Sequence, residues 1–568
     1  MRTITLRKGS IFGRFGTLLA ALGSLIFLTL PVYSAPQLDC VDGSDSVHCG
    51  AAPSAVFDSE GALWVAYVKD NLVLVAKSID AGATFSKPVA VNKLPEDAEH
   101  NGENRPKIIV DETGIIFVSW TLKTSPRFTG EIRFARSIDG GFSFETPRTI
   151  NDDNLFAGHR FDSLHLTDSG HLYLTWIDKR DLTAALSEGK DYAGAAIYYA
   201  VSADKGASFS ENYRVANHSC ECCRIAIAPR GKDSIAILWR QIFGETTRDH
   251  AIALLSPEGE VTGFERASYD EWQIDACPHH GPSMIADLQS DDYHMSWFSN
   301  GDAQSGIYYA RYSMEDEKPV DVFQVDGAAG AGHPMLAAQQ GALYLVWKGF
   351  DGERTKLQQI ISHDAGRTWS EPATLMTTEQ GSDHPLLIQR QSDKALYLSW
   401  HTNEYGYVVM PITEGKKAAT EHAVAAQGDR AENTAFLPFT AQTLNEIKTR
   451  FKGREFLLGL WSIDCPPCLV ELELMAGVLA SQPDLPYVLV STDPIALQDT
   501  AAEYLEDYGL GGRESYMFAD SFVEKLRFSI DPNWFGELPR SYFFSLDQSF
   551  RAHSGIVSEA LLAEWFGW

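Results

Sequence analysis

Basic residues are scarce in this chain. Of its 568 residues, 47 are Lys or Arg and 76 are Asp or Glu, for a formal net charge of −29. Residues 1–34 contain Arg2, Arg7, Lys8 and Arg14 and no acid, which leaves −33 on the remainder, four charges beyond the −29 of the whole. Such a surface repels phosphate backbones and anionic lipid, so nucleic acid is excluded as an expected partner. Long apolar runs are also missing. The one candidate, Thr17 to Leu30, is short for a bilayer crossing, which takes about 20 residues. Cysteine is sparse, at 8 residues, and unevenly placed. Cys40 and Cys49 lie near the start, Cys220, Cys222, Cys223 and Cys277 in the middle, and Cys465 and Cys468 near the end. What is present describes a globular chain with large cores: 44% hydrophobic and 22% charged residues, long enough for several domains.

Residues 1–34 read as an export signal. A basic start precedes the apolar run, and Val32 and Ser34 satisfy the small-residue cleavage rule before Ala35. An uncleaved anchor is the alternative. Export predicts a periplasmic location in a Gram-negative cell and permits disulfides, and Cys40–Cys49 is one candidate staple.

From about Cys49 to Ile412 the chain repeats. Alternating strands end in an aromatic marker, at Tyr67, Trp120, Trp176, Trp239, Trp297, Trp347 and Trp400. Each follows a short apolar strand and a polar turn, and most precede another strand such as Ile197-Tyr198-Tyr199-Ala200. Short strands recurring at this period predict a β-propeller with one blade per repeat. The count is about seven blades, with six as the alternative. The last repeat, His384 to Ile412, stops after three strands. A strand near Val41–His48 is expected to complete it and remove a free sheet edge.

A second repeat is sharper. Ser78-Ile79-Asp80-Ala81-Gly82-Ala83-Thr84-Phe85 recurs at Ser137–Phe144, Ser202–Phe209 and Ser362–Trp369. In each copy an Asp can bond turn amides, a Gly permits positive φ, and an aromatic is free to plug a gap between strands. The pattern S-x-D-x-G-x-[TS]-[FW] resembles the Asp box of sialidase-like propellers. Asp80, Asp139, Asp204 and Asp364 are therefore read as structural, not catalytic. The resemblance implies a sialoside-cleaving site with three arginines, of which the first sits in an F-R-I-P-like strand. Here that stretch is Ala51-Ala52-Pro53-Ser54-Ala55, without arginine, and Asn104-Arg105-Pro106 is only a partial likeness. Sialidase activity is not expected, because fold does not carry function.

Equivalent positions before the first strand of successive blades hold Arg105-Pro106, His159-Arg160, Cys222-Cys223-Arg224, His279-His280-Gly281-Pro282, Gly332-His333-Pro334 and Asp383-His384-Pro385. First strands line a propeller's channel, so these side chains should gather at one mouth. Thiolate and imidazole together suit copper(I) or zinc(II). Cys220, Cys222, Cys223, Cys277, His279 and His280 form the candidate metal set. A disulfide between Cys220 or Cys222 and Cys277, and His-Pro pairs acting as strand caps, remain open beside it.

Residues 414–433 are polar and Ala-rich without apolar periodicity, and read as a linker. Beyond them, Phe456–Leu460 reads as a strand that delivers Asp464-Cys465-Pro466-Pro467-Cys468 to a helix over Pro467–Leu479. A helix N-terminus stabilises a thiolate, and the thiolate is what attacks disulfides. Cys465 is the candidate nucleophile and Cys468 the resolving thiol, while a structural disulfide or half a zinc site is the bland alternative. The segment from about Phe436 resembles the thioredoxin superfamily, in particular TlpA-like reductases. The likeness rests on Trp461, the C-P-P-C motif, Glu471, and Gly536-Glu537-Leu538-Pro539-Arg540-Ser541-Tyr542. It implies that Pro539 is cis and lies against the active-site disulfide, and it places Glu471 in the site. Asp464 departs from the family pattern, and a carboxylate beside Cys465 disfavours its thiolate.

The sequence thus predicts a multidomain chain: signal 1–34, all-β propeller 35–413, linker 414–433, and an α/β thioredoxin-like domain 434–568. The expected function is thiol–disulfide oxidoreductase, reducing in direction, with a membrane electron donor and no cofactor needed for exchange. The client is either a disulfide-bearing protein recruited by the propeller or the propeller's own cysteines. A copper- or zinc-handling propeller and a glycan-binding or sialidase propeller are the alternatives.

Overall fold

Each aromatic marker lies inside the second strand of an antiparallel blade, four-stranded in the first six repeats and three-stranded in the seventh. The computed structural model describes residues 40, 44–302, 304–412 and 436–567. The predicted signal at 1–34 and linker at 414–433 lie outside them. The sheets run in chain order: 51–90, 107–149, 159–219, 226–266, 283–326, 332–378 and 386–411. The third and fourth are joined by a single pairing, Ser219 with Gln241, and are separate blades of the ring. Tyr67, Trp120, Trp176, Trp239, Trp297, Trp347 and Trp400 are all buried. They do not end their strands, which run on past them, as in Ile116–Thr124. A buried indole needs a partner for its N–H. The Nε1 of Trp176, Trp297 and Trp347 donates at 2.7 Å to Asp178, Asp270 and Asp326 respectively.

The seventh sheet has three strands, Leu386–Gln389, Leu396–Thr402 and Gly406–Pro411. No strand from the N-terminal side completes it among the described residues. Instead Val47–Cys49 is a 3-10 turn, tied to Cys40 by the Cys40–Cys49 disulfide. His401 Nε2 bonds the His48 carbonyl at 3.1 Å, and Tyr67 Oη donates to the Asp45 carbonyl at 2.5 Å. The ring therefore closes through side chains. Val47, Phe57, Leu63 and Val65 share one apolar cluster with Ile388, Tyr397 and Tyr407 of the last sheet.

The four Asp boxes are turns, as expected. In each, the Asp takes the amide and hydroxyl of the Thr or Ser four residues on, at 2.8 and 2.6 Å in Asp80 with Thr84. Those bonds hold Asp80, Asp139, Asp204 and Asp364 down to about 2. Three of the box aromatics plug a gap between blades, where the sequence suggested one between strands. Phe209 packs on Phe134, Trp369 on Tyr309 and Phe85 on Tyr407, each in the preceding blade of the ring.

The C-terminal region is one sheet with helices around it. Its elements are β1 (Leu437–Phe439), α1 (Thr443–Arg450), β2 (Phe456–Trp461), α2 (Pro466–Ser481), β3 (Tyr487–Pro494), α3 (Gln498–Asp507), β4 (Ser515–Phe518), α4 (Val523–Ile530), β5 (Arg540–Phe544), β6 (Phe550–Ser554) and α5 (Glu559–Phe566). The strand order is β1-β4-β3-β2-β5-β6, with β1 to β4 mutually parallel and β5 antiparallel to both β2 and β6. Buried on both faces, β2 reads Phe-Leu-Leu-Gly-Leu-Trp without polar alternation. β1 and α4 were not legible in the sequence: β1 is three residues long, and α4 begins without a side-chain cap.

This region sits on the propeller. Arg127 lies over the Tyr504 ring at 3.3 Å and pairs with Asp507. Lys348 pairs with Glu524 at 2.6 Å, and Phe350 packs on Phe522 and Phe528.

Gly366 is the pattern glycine of its Asp box, whereas Gly140 stands one position before the pattern glycine Gly141, where the other copies carry Ala81, Lys205 and Ala365. Both have positive φ, +82° and +72°. A Cβ on Gly366 would strike the Tyr309 hydroxyl of the preceding blade, whereas one on Gly140 meets nothing within 4 Å. Gly140→Ala should cost only the backbone strain of about 1 kcal/mol. Gly366→Ala should cost at least about 1–3 kcal/mol more, read as a lower urea midpoint for the propeller transition.

Candidate redox and thiol site

The site is built from two ends that meet. On the C-terminal side, β2 leads into the loop Ser462–Asp464. Asp493, at the end of β3, holds that loop: Ser462 Oγ donates to it at 2.7 Å and the Ile463 amide at 2.9 Å. Ser491 Oγ donates to the same carboxylate at 2.7 Å. Burial pushes Asp493 up, against those hydrogen bonds. Asp493 was not singled out from the sequence, where an Asp-Pro after a strand reads only as a turn.

Cys465 is the N-cap of α2, and its Sγ takes the Cys468 amide at 3.2 Å. Pro466 and Pro467 fill the first turn, where a missing N–H costs nothing. Cys465 and Cys468 form a disulfide, and their exposures are 1% and 0%. Glu471 follows Cys468 by three residues, on the same helix face. Its carboxylate takes the Val557 amide at 2.9 Å and the Ser541 hydroxyl at 3.3 Å. Burial pushes it up to about 7 in spite of those bonds. The Leu538–Pro539 peptide is cis, and the Pro539 carbonyl takes the Gly555 amide at 2.9 Å. Leu460 pairs with Arg540, so Pro539 falls one register step further on, level with Trp461 at the end of β2.

On the propeller side, the blade starts do converge at one mouth, but on a residue the sequence reading passed over. Glu103 is buried, and it takes hydrogen bonds from Arg224 at 2.7 Å, the Gly281 amide at 2.9 Å and His333 at 3.2 Å. His384 Nδ1 lies at 3.4 Å. Burial would raise Glu103, but the Arg224 guanidinium and the two imidazoles outweigh it and hold it well below the carboxylate range. His280, His333 and His384 stack in a row, with ring centroids 4.5 and 3.4 Å apart. Burial keeps all three neutral, His384 at about 3. A cavity of about 410 Å³ between this mouth and the C-terminal region is lined by Glu103, His280, His333, His384, Asp493 and Arg527 among others.

The cysteines gather as the sequence predicted, with one exception in the proposed set. Cys220, Cys222 and Cys223 present sulfurs within 4.8 Å of one another, and so do Cys222, Cys277 and the His279 ring. All four cysteines are buried free thiols, so no disulfide joins Cys277 to Cys220 or Cys222. His280 does not belong to the cluster. Its ring stacks between Phe298 and His333, and its Nε2 faces the Phe535 carbonyl at 3.3 Å. Beside the sulfurs lie two buried guanidiniums. Arg240 donates only to the carbonyls of Arg248, His280 and Phe298, and no described carboxylate lies within 4.0 Å of it. Arg248 bonds the Ile274 carbonyl and reaches Asp275 at 3.6 Å. Hydrogen bonds from Cys222 and Cys223, helped by Arg248 and Arg240, push the Cys220 thiol well down. Burial pushes Cys222 and Cys223 up.

The two ends meet at Cys277. Its amide donates to the Leu538 carbonyl at 2.8 Å, and the Leu538 amide donates back at 3.4 Å. Arg160 is hydrogen-bonded to Glu99. Burial would lower its pKa, but Glu99 above all, with smaller contributions from the charges of Asp464 and Cys277, raises it. The three mouth arginines are committed: Arg105 to Asp383 at 3.0 Å, Arg160 to Glu99, and Arg224 to Glu103 at 2.7 Å.

Two carboxyls give opposite pH signatures. Glu103 is depressed in the fold, so its stabilisation is present above about pH 4.5 and is lost as pH falls through the lower folded value. Glu103→Ala should cost about 3–5 kcal/mol at pH 7 by stranding Arg224, read from chemical denaturation of the propeller. Glu471 is raised to about 7. Its cost begins as pH rises above about 4.5 and is complete above 7. Glu471→Gln should therefore leave stability unchanged at pH 4 and raise it by up to about 3 kcal/mol at pH 8. Melting temperatures across pH check this.

No family model matches the chain, and no curated protein matches it. Among solved structures it is similar to a polysaccharide lyase PL25 ulvan lyase: 12% identity over 64% of this chain and 93% of that one, TM-score 0.44. It is also similar to the NanB sialidase of Streptococcus pneumoniae, with 12% identity, 57% and 68% coverage, and TM-score 0.37. A GH93 α-L-arabinofuranosidase of Fusarium graminearum shows 14% identity, 64% and 92% coverage, and TM-score 0.36. At these identities and scores the likenesses carry nothing about substrate or chemistry.

Proposed function

We propose that this chain is an exported thiol–disulfide oxidoreductase whose reacting couple is Cys465 and Cys468. The observation that carries the reading is the disulfide at the N-terminus of α2, with Cys465 as the N-cap and Glu471 buried one turn beyond Cys468. The surrounding parallel sheet with its antiparallel β5 and the cis Pro539 fit the thioredoxin-like resemblance, and TlpA-like kinship favours the reducing direction. A reduced Cys465 thiolate attacks a client disulfide and forms a mixed disulfide. Cys468 then releases the client and closes the Cys465–Cys468 bond. Glu471, held near neutral pH, takes the Cys468 proton in that second step. Electrons return from a membrane dithiol donor. The Cys40–Cys49 disulfide supports an oxidising compartment and hence export. Among the described residues no helix is long and apolar enough to cross a membrane.

The test is reduction of a protein disulfide by the full chain, recycled by a dithiol. Cys465→Ser should lose the activity by at least about a hundredfold. Retention of more than a tenth would remove Cys465 from the chemistry.

A second reading rests on a separate observation, the convergence of Cys220, Cys222 and Cys223. Three thiolates around a monovalent soft cation carry a net charge of two minus, which Arg240 and Arg248 balance. The set fits copper(I), while Cys222, Cys277 and His279 offer a mixed set closer to zinc chemistry. Anaerobic loading with copper(I) or zinc, then desalting and metal analysis, should leave about one ion per chain. Cys222→Ser should lose it, because Cys222 belongs to both groups. A glycan-directed propeller is supported least: the mouth arginines are paired, and the mouth lies under the C-terminal region.

A further inference from the structure

A thiol that attacks outside clients has to be reachable, and Cys465 is 1% exposed. What covers its surroundings is a specific propeller segment. Asp275–His280 connects the fourth and fifth blades and runs along the loop Trp534–Pro539. Cys277 forms a two-bond antiparallel bridge to Leu538, the residue before Pro539. On either side of it, Asp275 lies against Gly555 and His280 against Phe535, whose ring packs on Phe298. The register of β5 on β2 carries Leu538 to the level of Ser462, in the loop that delivers Cys465. The bridge thus holds a cysteine, by its backbone, on the edge of the redox loop. From Cys277 the sulfurs continue inward: Cys222 lies within 4.8 Å, and Cys220 sits 3.7 Å from Cys222 and 3.9 Å from Cys223.

Resting on the oxidoreductase reading, we infer that Cys277 is the resident client of Cys465, and that the couple exchanges a disulfide with the Cys222–Cys277 pair of its own propeller. In the reducing direction the Cys465 thiolate attacks Sγ of Cys277 in a Cys222–Cys277 disulfide. That bond breaks, and Cys222 leaves as thiolate. The Cys468 thiolate then attacks Cys465, the Cys277–Cys465 bond breaks, and Cys277 leaves. Two electrons pass to the propeller pair, and the two protons lost by Cys465 and Cys468 end on Cys222 and Cys277. No outside oxidant or reductant enters the exchange. The structure, with Cys465–Cys468 bonded and four propeller thiols free, is the state in which this transfer ends. The exchange restores the thiols of the cluster, whatever oxidises them.

The experiment traps the intermediate in the full chain. Cys468→Ser protein, fully reduced, is treated with 0.1 mM-scale oxidised glutathione, then alkylated and mapped by non-reducing peptide mass spectrometry. The tethered thiol competes at an effective concentration in the millimolar range, so a Cys277–Cys465 bond should exceed the Cys465–glutathione adduct by about tenfold. Cys277→Ser in the same background should eliminate the internal bond and leave the glutathione adduct, while Cys222→Ser should leave it in place. A Cys465–glutathione adduct with Cys277 still a free thiol would overturn the inference but leave Cys465 a working nucleophile. Failure of wild-type Cys465–Cys468 to equilibrate with a dithiothreitol buffer would instead overturn the oxidoreductase reading itself.

Discussion

Glu103 takes hydrogen bonds from Arg224, Gly281 and His333, which open three other blades, and has His384 of a fourth at 3.4 Å. A buried carboxylate is tolerated only when fully paired, because desolvation costs several kcal/mol otherwise. Glu103 meets that condition only if blades two, four, five, six and seven are all seated in the ring. The histidine stack follows from it. Three neutral rings lie in a row beside an ionised acid, and the last of them leads to Phe298 and Phe535. The mouth is thus a platform of interlocked side chains, and a cavity of about 410 Å³ lies between it and the C-terminal region that rests on it.

The platform explains how two sites of different chemistry are brought together. The Cys465–Cys468 disulfide follows a loop whose shape Asp493 fixes by bonding Ser462, Ile463 and Ser491. The propeller thiols need compensation for charge, which the unpaired Arg240 and the weakly paired Arg248 supply. Between them, Cys277 touches both: its backbone bonds Leu538 and its sulfur lies within 4.8 Å of Cys222.

Much of this was legible in the chain. Alternating strands with a buried aromatic, Tyr67 in the first and tryptophan in the other six, marked every blade, because a pleated strand shows alternate residues to each face. Asp boxes were legible because their bonds span only four residues, as in Asp80 with Thr84. The strand, the C-P-P-C turn and the helix after it were legible for the same local reason. The short strand β1 was not, since three residues carry no period. The missing fourth strand of the last blade was misread, because a disulfide and a 3-10 turn fill the space a strand was expected to take.

The sequence by itself determined the elements, their repeat, and which cysteines can act as a pair, since each depends on residues within a turn or two of one another. Only the tertiary structure decided the rest. Glu103 is an ordinary acid until the ring closes and strips its water. His280 stands beside His279 in the chain, yet positive φ at His279, +53°, turns them toward different partners: a cysteine cluster and an aromatic stack. Cys277 and Leu538 are separated by more than two hundred residues, and no local rule pairs them. They meet because burial of the facing surfaces of the propeller and the C-terminal region outweighs the cost of closing so long a loop, a cost that grows only with the logarithm of its length.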